Sequence, residues 1–285
     1  MRKIGIIAKR HHPEMGPILQ ELLEWLKQRS VEVVLDEESA ALIKSPSLRA
    51  VERWRLPALV EMIAVFGGDG TLLSVARLTG DHQPIIFGVN LGSLGFLTEI
   101  TLADLYQALE ATISGTYEID TRQMLVAGVE RGGFTIARYL ALNDAVINKG
   151  ALARVTDLQV CIDDHFVSTF KADGLIIASP TGSTAYSLAA GGPIVYPSME
   201  AFVITPICPH TLTYRPLVVS DKSVITVRLE SGHDVMLTID GQVGFPLETG
   251  DVLRVNKSDK PLTLVRPLRR NWFEILRRKL KWGER

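Results

Sequence analysis

Five consecutive residues, Gly67-Gly68-Asp69-Gly70-Thr71, carry the clearest chemical signal in the chain. They follow an apolar run, Met62 to Phe66, of the length of a buried strand in a parallel sheet. Behind them Leu72, Leu73, Val75 and Ala76 are available for one face of a helix. Glycine at a strand-to-helix turn permits positive φ and lets backbone N–H groups approach a ligand closely. A helix start adds free donors and partial positive charge, and the combination favours phosphate. Asp69 would repel a phosphate. Its carboxylate suits a different task, as a base toward a hydroxyl or as a metal ligand beside phosphates. The turn points to phosphoryl transfer onto an alcohol. The plainer alternative is a strand-to-helix turn whose glycines only pack.

Three further stretches stand out. Asn90-Leu91-Gly92-Ser93-Leu94-Gly95-Phe96-Leu97 is a second glycine-rich loop at the end of an apolar strand. From Asp173 to Pro193 the chain reads DGLIIASPTGSTAYSLAAGGP, a buried strand entering a turn rich in hydroxyls and glycines. Helix capping accounts for one Ser or Thr there, but not for four between Ser179 and Thr184. Many small donors at one turn suit the hydroxyls and phosphates of a nucleotide. Asn143-Asp144 lies inside an otherwise strand-like run, where both residues are disfavoured, so it marks a bulge or a site. Asp240-Gly241 before Gln242 reads as a hairpin turn.

The elements that must position these residues change character near residue 116. Before it, a strand over residues 3–8 precedes a helix marked by Met15, Ile18, Leu19, Leu22, Leu23 and Leu26. A strand from Val31 to Leu35 follows, and residues 44–58 read as loop. The glycine turn comes next, then the strand Pro84 to Val89, then a helix marked by Leu102, Leu105, Leu109 and Ile113 and stopped by Gly115. Alternating strands and helices predict a parallel α/β domain over residues 1–120. Short strand-like runs split by Gly132-Gly133, Asp163-Asp164 and Ser231 to Asp234 predict an all-β domain over residues 121–265. Residues 266–285 read as a C-terminal helix with Trp272, Ile275, Leu276 and Leu280 on one face. That stripe suits docking on the first domain, whereas the surrounding basic residues also fit a membrane-surface helix.

Composition sets limits. The 285 residues are 46% hydrophobic and 22% charged with a formal net charge of −1, an ordinary soluble composition that gives no argument for nucleic acid or an anionic membrane as partner. Two cysteines, Cys161 and Cys208, cannot build a secreted disulfide framework, and a cytoplasmic setting is expected. The first strand ends in Lys9-Arg10-His11-His12, without the Gly-x-Gly-x-x-Gly of a dinucleotide-dependent oxidoreductase, and no Walker motif occurs.

Taken in order, GGDGT after a strand, NLGSLGFL, the Asn-Asp pair, DGLIIASPTGSTAYSLAAGGP and IDGQ resemble the NAD kinases over most of the chain. Lipid kinases of the diacylglycerol type share the first motif, and a non-catalytic nucleotide sensor could keep the glycines. The PTGSTAYSLAAGGP stretch is the specific one. The resemblance implies transfer of the γ-phosphate of ATP to the 2′-hydroxyl of the adenosine ribose of NAD, with a divalent metal (Mg or Mn), in a homodimer or homotetramer. It implies Asp69 as proton acceptor with Gly70 beside the substrate, in a phosphate turn formed with Gly67, Gly68 and Thr71. Phe96 would pack near the adenine, and Asn143 and Asp144 would hold the adenosine. Arg154, Lys171 and Asp173 would contact NAD, as would Thr184, Ala185, Tyr186, Ser187, Leu188 and Ala189. Gln242 would close the site, and no metal ligands are named. Asp144 is expected to act as an ionised acceptor. With Asp69 in one domain and Asn143, Asp144 and Thr184 to Tyr186 in the other, the site is expected in the cleft between domains or between subunits.

Overall fold

The structure is a computed structural model that describes residues 1–9, 12–43, 49–92, 94–150, 154–266 and 271–283. It divides into two units, one formed by Met1–Thr121 with Leu262–Arg285, the other by Arg122–Pro261.

The first unit is built on one sheet with strand order Arg49–Val51, Glu32–Asp36, Lys3–Ala8, Met62–Gly67, Ile85–Asn90, Leu262–Arg266, Glu118–Arg122. Lys3–Ala8 pairs in parallel with both Glu32–Asp36 and Met62–Gly67, which in turn pairs in parallel with Ile85–Asn90. Met62–Gly67 is buried along its whole length, as its unbroken apolar sequence requires of a strand covered on both faces. The helix Met15–Gln28 presents Met15, Leu19, Leu22 and Leu26 to the core, where they meet Ile4, Ile6, Met62 and Phe66. Gly115, at φ 84°, ends the helix Leu105–Ser114 in the left-handed conformation that glycine adopts without strain.

Two elements differ from the sequence reading. Residues 49–58, read as loop, hold the short strand Arg49–Val51 and the 3-10 turn Arg53–Ala58, while 44–48 lie outside the described residues. Arg53 organises this piece, donating from Nε to Asp36 and from Nη2 to Glu38, both at 2.7 Å. The last strand, Leu262–Arg266, assigned by sequence to the β domain, instead joins the first unit's sheet beside Ile85–Asn90. Its burial on alternate and consecutive positions suits a sheet interior, and periodicity alone cannot say which sheet receives a strand.

The C-terminal helix Trp272–Leu280 belongs to the first unit and buries Trp272, Ile275 and Leu276. Asn271 caps it, accepting from the N–H groups of Phe273 and Glu274. Its apolar stripe is thus spent within the protein. Residues 267–270 and 284–285, included in the sequence-based helical segment, lie outside the described residues. Among the described residues no helix is long and apolar enough to cross a membrane.

The second unit consists of two antiparallel six-stranded sheets. One has the order Leu217–Ser220, Ala201–Ile207, Gly174–Ala178, Asp144–Lys149, Val235–Ile239, Val243–Leu247. The other has the order His165–Ala172, Thr156–Ile162, Ile225–Ser231, Val252–Lys257, Leu125–Arg131, Phe134–Ala141. Ala145, Ile147, Ile177 and Leu237 from the first sheet share one core with Leu125, Val160, Val227 and Val255 from the second. Strand alternation then sends Val146, Ile176 and Ala178 to the opposite face, where Val195 covers them. Asp144, two residues before Val146, falls on that same outer face.

Candidate functional site

Asp69 opens the helix Asp69–Thr79, with Gly68 as its N-cap and no side chain capping it. The N–H groups of Thr71 and Leu72 both donate to Gly68 O, at 3.0 and 3.2 Å. Gly67 and Gly68 do not adopt positive φ, contrary to the conformational reason anticipated for them. Space is the reason at Gly67, where a Cβ would collide with the side chain of Thr71. Gly68 faces open space, and Gly70 is exposed in the first turn.

The second glycine loop folds onto Asp69. The N–H of Phe96 donates to Asp69 Oδ2 at 2.8 Å, and the N–H groups of Leu97 and Thr98 donate to Oδ1 at 3.0 and 3.1 Å. Thr98 Oγ1 is also 3.1 Å from Oδ1. Gly95 makes the approach possible, because a Cβ there would fall on Asp69 Oδ1. Phe96, expected near the adenine, thus meets Asp69 through its backbone N–H.

In the second unit Asn143 and Asp144 form a corner gripped from two sides. Asp240 accepts from the N–H of Leu142 at 3.1 Å, of Asn143 at 2.8 Å and of Asp144 at 3.1 Å. On the carbonyl side, Ser179 N–H donates to Asn143 O at 2.8 Å and Ser179 Oγ to Leu142 O at 2.5 Å. Gly182 rests against the Asn143 backbone, where a Cβ would strike the carbonyl oxygen. Asp240 and Gly241 reach this arrangement with φ of 49° and 65°, the left-handed region that Asp and Gly tolerate in tight turns.

Asp144 is 4% exposed. Burial, with the nearby Asp240 charge as the second cause, pushes its carboxyl up to about 7. The group expected as an ionised acceptor thus changes near neutrality between that form and a neutral one that can donate.

The hydroxyls between Ser179 and Thr184 also find uses other than the one anticipated. Ser183 Oγ donates to Pro180 O and accepts from Val195 N–H, and Thr184 Oγ1 donates to Thr181 O. Arg122, fully buried, approaches Thr181 Oγ1 with Nη1 at 3.4 Å. These groups hold the turn's shape. Ser187 is buried against Thr205 Oγ1 at 2.9 Å. Thr184, Ala185 and Leu188 are half-buried, and Tyr186 and Ala189 are exposed.

The remaining predicted residues do not form one cluster. Asp173 lies 3.6 Å from Lys149 Nζ, and Lys171 pairs with Asp157 at 3.5 Å. Lys149 ends the strand that Asp144 begins, so at about 3.3 Å per residue the two groups stand roughly 16 Å apart. Arg154 is exposed just before Thr156–Ile162, and Gln242 is exposed after the Asp240-Gly241 turn. Sequence reasoning did not single out Asn90, Thr98 or a clamping role for Asp240. A polar residue at a strand end beside glycine was the available signal for Asn90 and Asp240, and nothing marked Thr98.

Among the described residues no group of three or more His, Cys, Asp or Glu side chains could hold a metal. Asp69, the carboxylate nearest the phosphate turn, has both oxygens engaged by the loop.

Comparison with known proteins supplies the family. Residues 4–117 match the ATP-NAD kinase N-terminal domain and residues 142–267 the ATP-NAD kinase C-terminal domain. Among curated relatives, the NAD kinase of Geotalea daltonii is 52% identical and that of Geobacter metallireducens 50% identical, each over all of both chains. Among solved structures, yeast NADH kinase complexed with NADH superposes with a TM-score of 0.92 at 27% identity, covering 100% of this chain and 89% of the other. An NAD kinase from Archaeoglobus fulgidus in complex with ATP has a TM-score of 0.77 at 26% identity, covering 99% of each.

Proposed function

The chain belongs to the ATP-NAD kinase family, and on the geometry above we propose that Asp69 is the base that readies the accepting hydroxyl. The enzyme is a transferase that phosphorylates NAD. In the proposed reaction the γ-phosphate of ATP passes to the 2′-hydroxyl of the adenosine ribose. The observation that carries this reading is a carboxylate fixed at an uncapped helix start, directly after a strand and two glycines.

Phosphoryl transfer needs positioning and charge stabilisation more than covalent chemistry. The helix start at Asp69 presents the positive end of its dipole to phosphate oxygens. Asp69 takes the proton of a hydroxyl brought within about 3 Å, which raises its nucleophilicity as its oxygen bonds to the γ-phosphorus and the bridging P–O bond to the departing ADP breaks. The Asn143-Asp144 corner holds the adenosine, supported by the fixed backbone around it. A divalent ion, Mg or Mn, would supply positive charge to the transferred phosphate, and no residue of this chain is assigned to it.

Lys171, Asp173 and Arg154 are proposed to meet the remainder of NAD. A homodimer or homotetramer is proposed on the family resemblance alone. A cytoplasmic location fits two free cysteines, Cys161 and Cys208.

The test is product analysis. With ATP and Mg²⁺, NAD should gain a phosphate that NMR places on the 2′ oxygen of the adenosine ribose, and 2′-deoxy-NAD should gain none. A phosphate on the nicotinamide-side ribose would overturn the assignment.

A further inference from the structure

Asp69 presents two oxygens, and the structure treats them differently. Oδ1 receives three donors, the N–H groups of Leu97 and Thr98 and the hydroxyl of Thr98. Oδ2 receives the Phe96 N–H alone. An ionised carboxylate offers about four acceptor sites over its two oxygens. Oδ1 is therefore saturated, and the open lone pair is on Oδ2.

The direction of the Thr98 hydroxyl follows from its neighbours. The N–H of Gly92 donates to Asn90 Oδ1 at 2.6 Å, which identifies that atom of the amide as the acceptor. Asn90 Nδ2 must then point the other way, and it lies 3.1 Å from Thr98 Oγ1. Since Nδ2 can only donate, Thr98 Oγ1 accepts from it and turns its own proton to Asp69 Oδ1. Asn90 itself ends the strand beside Met62–Gly67, in register with Gly67 of the phosphate turn. Thr98 is fully buried and Asn90 is 5% exposed, so water does not compete for these contacts.

We infer that Thr98, oriented by Asn90, is a positioning residue for phosphoryl transfer: it locks Asp69 through Oδ1 so that Oδ2 faces the substrate hydroxyl and takes its proton. This rests on the reading of Asp69 as base. Thr98 touches no substrate. It acts by fixing the carboxylate plane within the narrow range that proton transfer in a preorganised site requires.

The experiment is a double-mutant cycle between Thr98 and Asp69, with steady-state kinetics for NAD and ATP. Thr98→Val removes the hydroxyl and should lower kcat by roughly 10- to 100-fold, with KM for both substrates changed less than about twofold. Thr98→Ser keeps the hydroxyl and should recover kcat to within about threefold of wild type. In an Asp69→Asn background, Thr98→Val should slow the enzyme by less than about twofold further, because it acts through the lost carboxylate. Should Thr98→Val fail to fold in a thermal melt, Thr98→Ala, which cannot overpack the site, takes its place in each arm. The inference is overturned if the valine or alanine variant keeps wild-type kcat, or slows Asp69→Asn by the same factor as wild type. If Asp69→Asn alone keeps the wild-type rate, the base assignment fails first and the inference falls with it.

Discussion

Asp69 and Asp144 are carboxylic acids of one proposed site, and the protein prepares them in opposite ways. Asp69 is half-exposed and surrounded by donors, three backbone N–H groups and one hydroxyl. Asp144 is buried beside a second carboxylate, and its carboxyl is pushed up to about 7. Burial and a like charge favour the neutral form of Asp144. Asp69 is fixed as an acceptor with a single open position. The other changes charge near neutrality. The lesson is that residue type alone did not separate these tasks, whereas the segments packed around each residue do.

Asp240 is where this contrast breaks most easily. It serves both as the acceptor for three N–H groups at the Asn143-Asp144 corner and as the like charge beside Asp144. Asp240→Ala leaves those three donors without their acceptor. Each orphaned group costs about 1–3 kcal/mol, offset in part by relief of the repulsion, so a net loss of about 3 kcal/mol or more is expected in chemical denaturation. A variant as stable as wild type would show that water replaces the clamp.

A smaller effect sharpens the comparison. Asp144 has a raised pKa in the folded state, so its contribution to stability is fully present below the unfolded value near 4 and is lost as pH rises through about 7. Asp144→Asn removes that titration. Between pH 5 and pH 8, wild type should lose roughly 2 kcal/mol more stability than the variant does. Parallel curves for the two proteins would mean that Asp144 titrates normally.

Much of this was legible in the sequence. The alternation of apolar strands and amphipathic helices marked the parallel α/β layer, and the later short strands marked the β layers. The central turn was legible because Gly67, Gly68 and Asp69 sit directly after an unbroken apolar strand. The function of Gly95 was not, since the clearance it gives Asp69 depends on a residue far along the chain. The same holds for Ser179, Ser183 and Ser187. Their hydroxyls look like ligand donors in sequence but are bound by Leu142, Pro180 and Thr205, of which Leu142 and Thr205 are far along the chain. The raised Asp144 and the saturated Oδ1 of Asp69 both arise from long-range contacts, which local spacing cannot report.

The central claim is that Asp69 does chemistry and Asp144 holds substrate. It is tested most directly by measuring NAD affinity and single-turnover phosphorylation side by side for Asp69→Asn and Asp144→Ala. The account predicts a crossed pattern. Asp69→Asn should bind NAD within about threefold of wild type and phosphorylate it on the order of 10²- to 10⁴-fold more slowly. Asp144→Ala should bind NAD at least about tenfold more weakly, with transfer at saturating NAD slowed less than about tenfold. If Asp69→Asn turned over bound NAD at the wild-type rate, or if Asp144→Ala bound NAD normally, the division of labour would be contradicted.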